Sequence, residues 1–121
     1  EPTFLALARR LDFQPLRIPF VSCFDGAVYD RDTDPGVWPQ NLWSTFRHPI
    51  AFDTTVRGLL QRGDFHFVDA GPSGTLATFV KYLVPAGCGA SFGDVINPFG
   101  RDVQTYTSAL GRMGLNDARL Q

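Results

Sequence analysis

The stretch Phe65-His66-Phe67-Val68-Asp69-Ala70-Gly71-Pro72-Ser73-Gly74-Thr75-Leu76 decides how this chain is read. Its first residues are aromatic and β-branched, lie between Gly63 and Gly71-Pro72, and read as a strand, Phe65 to Asp69, ending in a tight loop. Leu76, Phe79, Val80 and Leu83 follow at helical spacing, so the pattern passes from strand through turn to helix.

Working back from this stretch, Phe52, Val56, Leu59 and Leu60 form a helical stripe, with Asp53, Thr54 and Thr55 as candidate caps and Gly63 as its stop. Trp38, Leu42 and Phe46 mark another helix, with Pro39 in its first turn, that ends near Arg47 because His48 precedes Pro49 and such a residue avoids helical geometry. The segment from Asp25 to Gly36 is rich in Asp, Gly and Pro and reads as a surface loop. Ile18 to Ser22 reads as a buried strand with Pro19 near its start, and Phe4, Leu7, Ala8 and Leu11 as the apolar stripe of a first helix.

On the other side, a glycine-rich stretch from Gly87 to Gly93 leads to a weak strand at Val95-Ile96. Asn97-Pro98 breaks the pattern before a last helix on Val103, Tyr106, Thr107 and Leu110, stopped by Gly114. Leu115 to Gln121 reads as a frayed or linker-like tail. Strands separated by helices imply parallel pairing with crossover helices, so the fold class expected is α/β, with mainly parallel strands flanked by helices.

Composition narrows the function classes. The 121 residues, 44% of them hydrophobic, suit one domain with one core, able to hide roughly 65% of the surface its unfolded chain exposes. Eleven basic and twelve acidic residues give a net charge of -1, leaving no electrostatic footprint for nucleic acid or an anionic membrane. No apolar run approaches the length of about 18 residues that a membrane span needs, and no basic-then-apolar leader is visible, so the compartment expected is cytoplasmic. The chain opens at Glu1 without a methionine and enters a helix at once, which suggests a piece of something longer.

The chemistry on offer is sparse. Cys23 and Cys88 are far apart and read as buried free thiols, with no metal site expected. The acidic loop lacks the ordered ligand spacing of a calcium loop. His66 lies within a strand and reads as a core or sheet-face residue; His48, at a helix end, reads as a cap on the helix dipole. Gly71-Pro72-Ser73-Gly74 is not a GxSxG elbow and lacks the lysine and length of a P-loop, although free amides at such a turn could hold an anion; Ser73 reads as the helix N-cap.

Three blocks carry a family resemblance: Arg17-Ile18-Pro19-Phe20-Val21-Ser22, then Leu42-Trp43-Ser44-Thr45-Phe46-Arg47-His48-Pro49-Ile50-Ala51-Phe52, then Phe67-Val68-Asp69-Ala70-Gly71-Pro72-Ser73-Gly74-Thr75-Leu76. In order and at fitting distances, they resemble the C-terminal part of the malonyl/acyl-CoA:acyl-carrier-protein transacylase family, which includes polyketide synthase acyltransferases. The wording Gly71 to Tyr82 looks most like the separate acyltransferases and acyl hydrolases that serve polyketide synthases in trans.

The resemblance implies a C-terminal fragment of an α/β-hydrolase-like large subdomain. Residues 1–83 would be the C-terminal part of its core, and 84–121 a further strand-helix tail. It implies ping-pong transfer from acyl-CoA, through a serine ester, to the phosphopantetheine thiol of an acyl carrier protein, with no bound cofactor. Glu1-Pro2 looks like the residues just after the family's histidine, so serine, base and the malonyl-selecting arginine would lie upstream. The partners implied are the acyl carrier protein and the rest of the acyltransferase or polyketide synthase.

One supporting residue maps onto this chain. The family orients its catalytic imidazole with the main-chain carbonyl of a Gln or Asn four residues before a proline; counting back from Pro49 gives Thr45. The alternative is a plain helix C-terminal carbonyl. Gly71 and Pro72 read as structural, glycine for close backbone approach and proline to start a turn. Three other readings stand beside transfer: an acyl hydrolase releasing stalled acyl groups, a non-enzymatic carrier-protein or subunit interaction module, and an unrelated α/β domain. The last is favoured if Ile18–Ser22 and Phe65–Asp69 are not parallel neighbours or near neighbours in one sheet.

Overall fold

The computed structural model describes residues 1–96 and 99–114; the Asn97-Pro98 break and the tail from Leu115 lie outside the described residues. Contacts gather into two compact units, Glu1–Thr55 and Val56–Gln121, rather than around the one core expected. Each unit is built mainly from elements close in sequence, which is why each gathers its own contacts.

In the first unit, α1 (Pro2–Ala8) has Pro2 in its first turn, where a missing N–H costs nothing. It ends before Leu11: Arg10 and Leu11 donate to Leu7 and Ala8, the tightened bonds of a closing turn. Leu5 and Ala8 are therefore the buried positions, while Leu7 and Leu11 are exposed, a rotation of the expected stripe.

The strand expected over Ile18–Ser22 shrinks to β1 (Phe20–Val21), since Pro19 cannot donate to a ladder. Its partner, β2 (Val28–Tyr29), lies in the segment expected to be loop and pairs antiparallel, Phe20 with Tyr29 and Val21 with Val28. Asp25-Gly26 makes the turn: Gly26 takes φ +69°, donates to the Ser22 carbonyl at 2.8 Å, and Asp25 Oδ1 accepts from the Ala27 amide at 3.0 Å. Farther along the loop the aspartates turn the chain, Asp30 accepting from the Asp32 amide and Asp34 from that of Gly36. A short 3-10 helix, Pro35–Val37, leads into α2 (Trp38–Arg47).

The start of α3 (Phe52–Leu60) is tied down by the Ala51 amide donating to the Cys23 carbonyl at 2.8 Å. Asp53, Thr54 and Thr55 lie inside this helix rather than capping it; the Thr55 hydroxyl donates back to the Ala51 carbonyl.

The second unit holds β3 (His66–Asp69), α4 (Thr75–Leu83), β4 (Ser91–Asp94) and α5 (Asp102–Arg112). β3 and β4 pair in parallel from His66 opposite Ser91 to Asp69 opposite Asp94, and both α4 and α5 pack on this sheet. This is the parallel, helix-flanked α/β unit expected. β4 forms upstream of the expected Val95-Ile96 because register with β3 outweighs the weak strand propensity of Ser91-Phe92-Gly93-Asp94. The buried helical positions are Ala77 and Val80 on α4 and Ala109 on α5, while Leu76, Phe79 and Val103 are exposed. The shorter sheet of β1 and β2 is antiparallel, and β1 and β3 belong to separate sheets.

Candidate functional site at the end of α2

Helix α2 ends at Arg47, with His48 as its C-cap in extended geometry, φ -109° and ψ 158°. Proline at 49 enforces this, because its ring crowds the residue before it. Pro49 has a second effect. In an α-helix the carbonyl of residue 45 takes the amide of residue 49, and proline has no N–H to give. Thr45 is an exposed residue, and its carbonyl is deprived of that helical donor. Its hydroxyl is occupied, donating to the Asn41 carbonyl at 2.9 Å.

His48 closes on the carbonyl before it, that of Ser44. The His48 amide donates to the Ser44 carbonyl at 3.0 Å, and its Nδ1 lies 3.1 Å from the same oxygen, which requires the proton on Nδ1 for a bond. This is the capping role expected of His48, whose ring also sits 4.8 Å from that of Phe24. The Phe4 ring in α1 lies 5.4 Å from Trp43 and 6.3 Å from Phe46, which brackets Thr45 along the helix. Phe46 and Ile50 stand 74% and 70% exposed beside it.

Upstream on α2, a chain of polar groups runs back to the hairpin. Asn41 is buried, and its side-chain amide donates to the Tyr29 hydroxyl at 3.0 Å, which in turn donates to Asp25 Oδ2 at 2.7 Å. Burial and the Asp25 carboxylate raise the Tyr29 phenol above its usual value, against the opposing effect of Asn41. The Tyr29 ring lies 5.2 Å from Trp38 and 6.2 Å from Phe20. Nothing in the periodicity pointed to Asn41 or Tyr29; the Asp25-Gly26 pair between two apolar doublets was the readable sign of the hairpin that brings them together.

In the second unit, Ser73 does not cap α4. Gly74 holds the N-cap position at φ 62°, and Ser73 Oγ pairs with Thr75 Oγ1 at 2.6 Å. The cap comes from the end of β3: Asp69, 7% exposed, accepts from the amides of Leu76 at 2.8 Å and Ala77 at 3.1 Å through Oδ2, and from Gly71 at 2.8 Å through Oδ1. Three of the amides around this turn, those of Gly71, Leu76 and Ala77, are thus engaged. A Cβ on Gly71 would lie 3.0 Å from Asp69 Oδ1, so glycine lets the carboxylate close over the turn.

His66, half-buried, sets Nδ1 against Ser91 Oγ across the sheet, and its Nε2 is buried without a partner. Cys23 and Cys88 are free and half-buried rather than fully buried. Among the described residues no three His, Cys, Asp or Glu side chains gather as a metal site, and no helix is long and apolar enough to cross a membrane.

No family model matches the chain. It is 32% identical over 109 residues to the polyketide biosynthesis acyltransferase homolog PksD of Bacillus subtilis, covering 89% of this chain and 32% of that protein. It is 33% identical over 98 residues to the homolog BaeD of Bacillus velezensis, covering 81% of this chain and 29% of that protein. Against the spectinabilin polyketide synthase system protein NorC of Streptomyces orinoci the identity is 36% over 87 residues, 71% of this chain and 4% of that protein. The chain spans about a third of the length of the first two relatives. Likeness of this extent outweighs the separation of β1 from β3 as a ground for judging the resemblance a chance one, and it relates the chain to polyketide synthase-associated proteins.

Proposed function

We propose that this chain is the C-terminal part of a polyketide acyltransferase, in which the Thr45 carbonyl steadies a catalytic histidine supplied by the rest of the parent polypeptide. The observation that supports the reading is the end of α2, where the carbonyl of an exposed residue, Thr45, loses its helical donor to Pro49. An acceptor on one imidazole N–H fixes the tautomer, leaving the other nitrogen free to take a serine proton. The serine oxygen then attacks the thioester of acyl-CoA, and CoA leaves as the thiol with that proton. In the second half, the phosphopantetheine thiol of an acyl carrier protein attacks the serine ester, and the serine regains its proton.

In this reading β3, α4 and β4 belong to an α/β-hydrolase-like layer, Gly71 and Pro72 shape its turn, and the partners are the carrier protein and the remaining polyketide synthase in the cytoplasm. Self-acylation with radiolabelled malonyl-CoA tests it: the full-length parent becomes labelled and residues 1–121 alone do not. Labelling of the isolated piece would refute the assignment of the nucleophile to another segment. Release of the label as free acid, with none on the carrier protein, would make the parent an acyl hydrolase. Exposure of Phe46 and Ile50 beside Thr45 favours a second reading, a carrier-protein or subunit interaction module, which an unlabelled parent that still binds carrier protein would support.

A further inference from the structure

We propose that Asp25, Tyr29 and Asn41 form a positioning chain that sets the rotation of α2 about its axis and thereby the aim of the Thr45 carbonyl; the inference rests on the role proposed above for that carbonyl. The Asp25 carboxylate accepts from the Tyr29 hydroxyl, and that hydroxyl accepts from the Asn41 side-chain amide; the Asn41 main-chain carbonyl, one turn before Thr45, accepts from the Thr45 hydroxyl, so the link from Asn41 to Thr45 runs through the helix backbone. Its far end is fixed twice, by the Asp25-Gly26 turn and by the pairing of Phe20 with Tyr29.

Apolar contacts between α2 and the hairpin would tolerate sliding. Trp38 meets Phe20 and Tyr29 through ring faces and edges that change little in energy over small rotations. A buried amide on a hydroxyl does not tolerate it, because each group that loses its partner pays a desolvation penalty. With the helix backbone at a radius of about 2.3 Å, turning α2 by about 20° moves the Thr45 carbonyl by roughly 0.8 Å. Misplacement of about 1 Å at a site of this kind costs up to about 100-fold in rate.

The test uses the full-length parent. Tyr29→Phe keeps the ring against Trp38 and removes the hydroxyl; Asn41→Ala removes the amide. Each is expected to slow acyl-enzyme formation about tenfold with KM for the acyl-CoA unchanged. The double variant is expected to be no slower than the slower single variant, since both break one chain. Because a poorly aimed carbonyl stabilises the imidazolium less, the acid limb of the pH–rate profile moves to lower pH. Slowing that merely follows the fraction folded, with the limb in place, would overturn the proposal. If Pro49→Ala slows the reaction while Tyr29→Phe and Asn41→Ala do not, the positioning chain alone fails; if Pro49→Ala is silent as well, the role of Thr45 fails with it.

Discussion

Replacing Pro49 with alanine gives the Thr45 carbonyl at the end of α2 the helical donor it lacks. Residue 49 then carries an N–H, His48 is released from the extended geometry that proline imposes, and the helix can take one more residue, closing the bond from residue 49 to the Thr45 carbonyl. The extension is short, because the Ala51 amide remains held by the Cys23 carbonyl at 2.8 Å. Net stability changes little: losing proline costs about 0.4 to 1 kcal/mol through the unfolded chain, and a new backbone bond returns about 0.5 to 1.5 kcal/mol. The imidazole, in contrast, must compete with an intramolecular donor for its acceptor, a loss of roughly 1 to 3 kcal/mol, or about 5- to 160-fold in acyl-enzyme formation. The assay is single-turnover self-acylation of the parent by malonyl-CoA, paired with hydrogen exchange at residue 49 to show that the new amide is bonded. A protected amide together with an unchanged rate and pH profile would refute the reasoning.

Other outcomes follow from the same structure. Asp69→Ala strips two amides of α4 and one of the turn of their acceptor and should lower stability in urea by about 2 to 4 kcal/mol; a change below about 0.5 kcal/mol would show that the cap is incidental. Gly71→Ala brings a Cβ to 3.0 Å from Asp69 Oδ1 and should cost about 1 to 2 kcal/mol, most of it absent when Asp69 is already alanine. Because the folded pKa of Tyr29 lies above the unfolded value of 10.0, its contribution is present below pH 10.0 and is lost as pH rises through the folded value. Wild type should therefore lose stability more steeply than Tyr29→Phe in alkali, and equal slopes by chemical denaturation would contradict this.

Helices with a clear start and stop were legible in the amino acids. Pro39 near the start of α2 and Pro49 after its end, or the glycine turn ahead of α4, fix where a helix can begin and stop whatever surrounds it. The faces those helices bury were less legible. Small residues such as Ala77 and Ala109 face inward while Leu76 and Val103 do not, since burial depends on neighbours that no local window contains. The β1–β2 hairpin was hidden by acidic, loop-like composition, although Asp25-Gly26 marked its turn. At the helix end, position 45 followed from resemblance, and its lack of a helical donor from the identity of residue 49 alone; the path through Asn41 and Tyr29 needed three-dimensional pairing. The cap on α4 went to Asp69 rather than Ser73 because a carboxylate returning from the preceding strand reaches two amides where a local hydroxyl reaches one at most.

That carboxylate also bears on the order of folding. Asp69 grasps amides only seven and eight positions ahead, whereas the partner of His66 across the sheet lies 25 positions away. Closing the shorter loop costs less entropy and takes well under a microsecond. The strand-turn-helix corner can therefore assemble during synthesis while β4 is still inside the ribosome, and wait there as a ready-made edge for the later strand to zip onto.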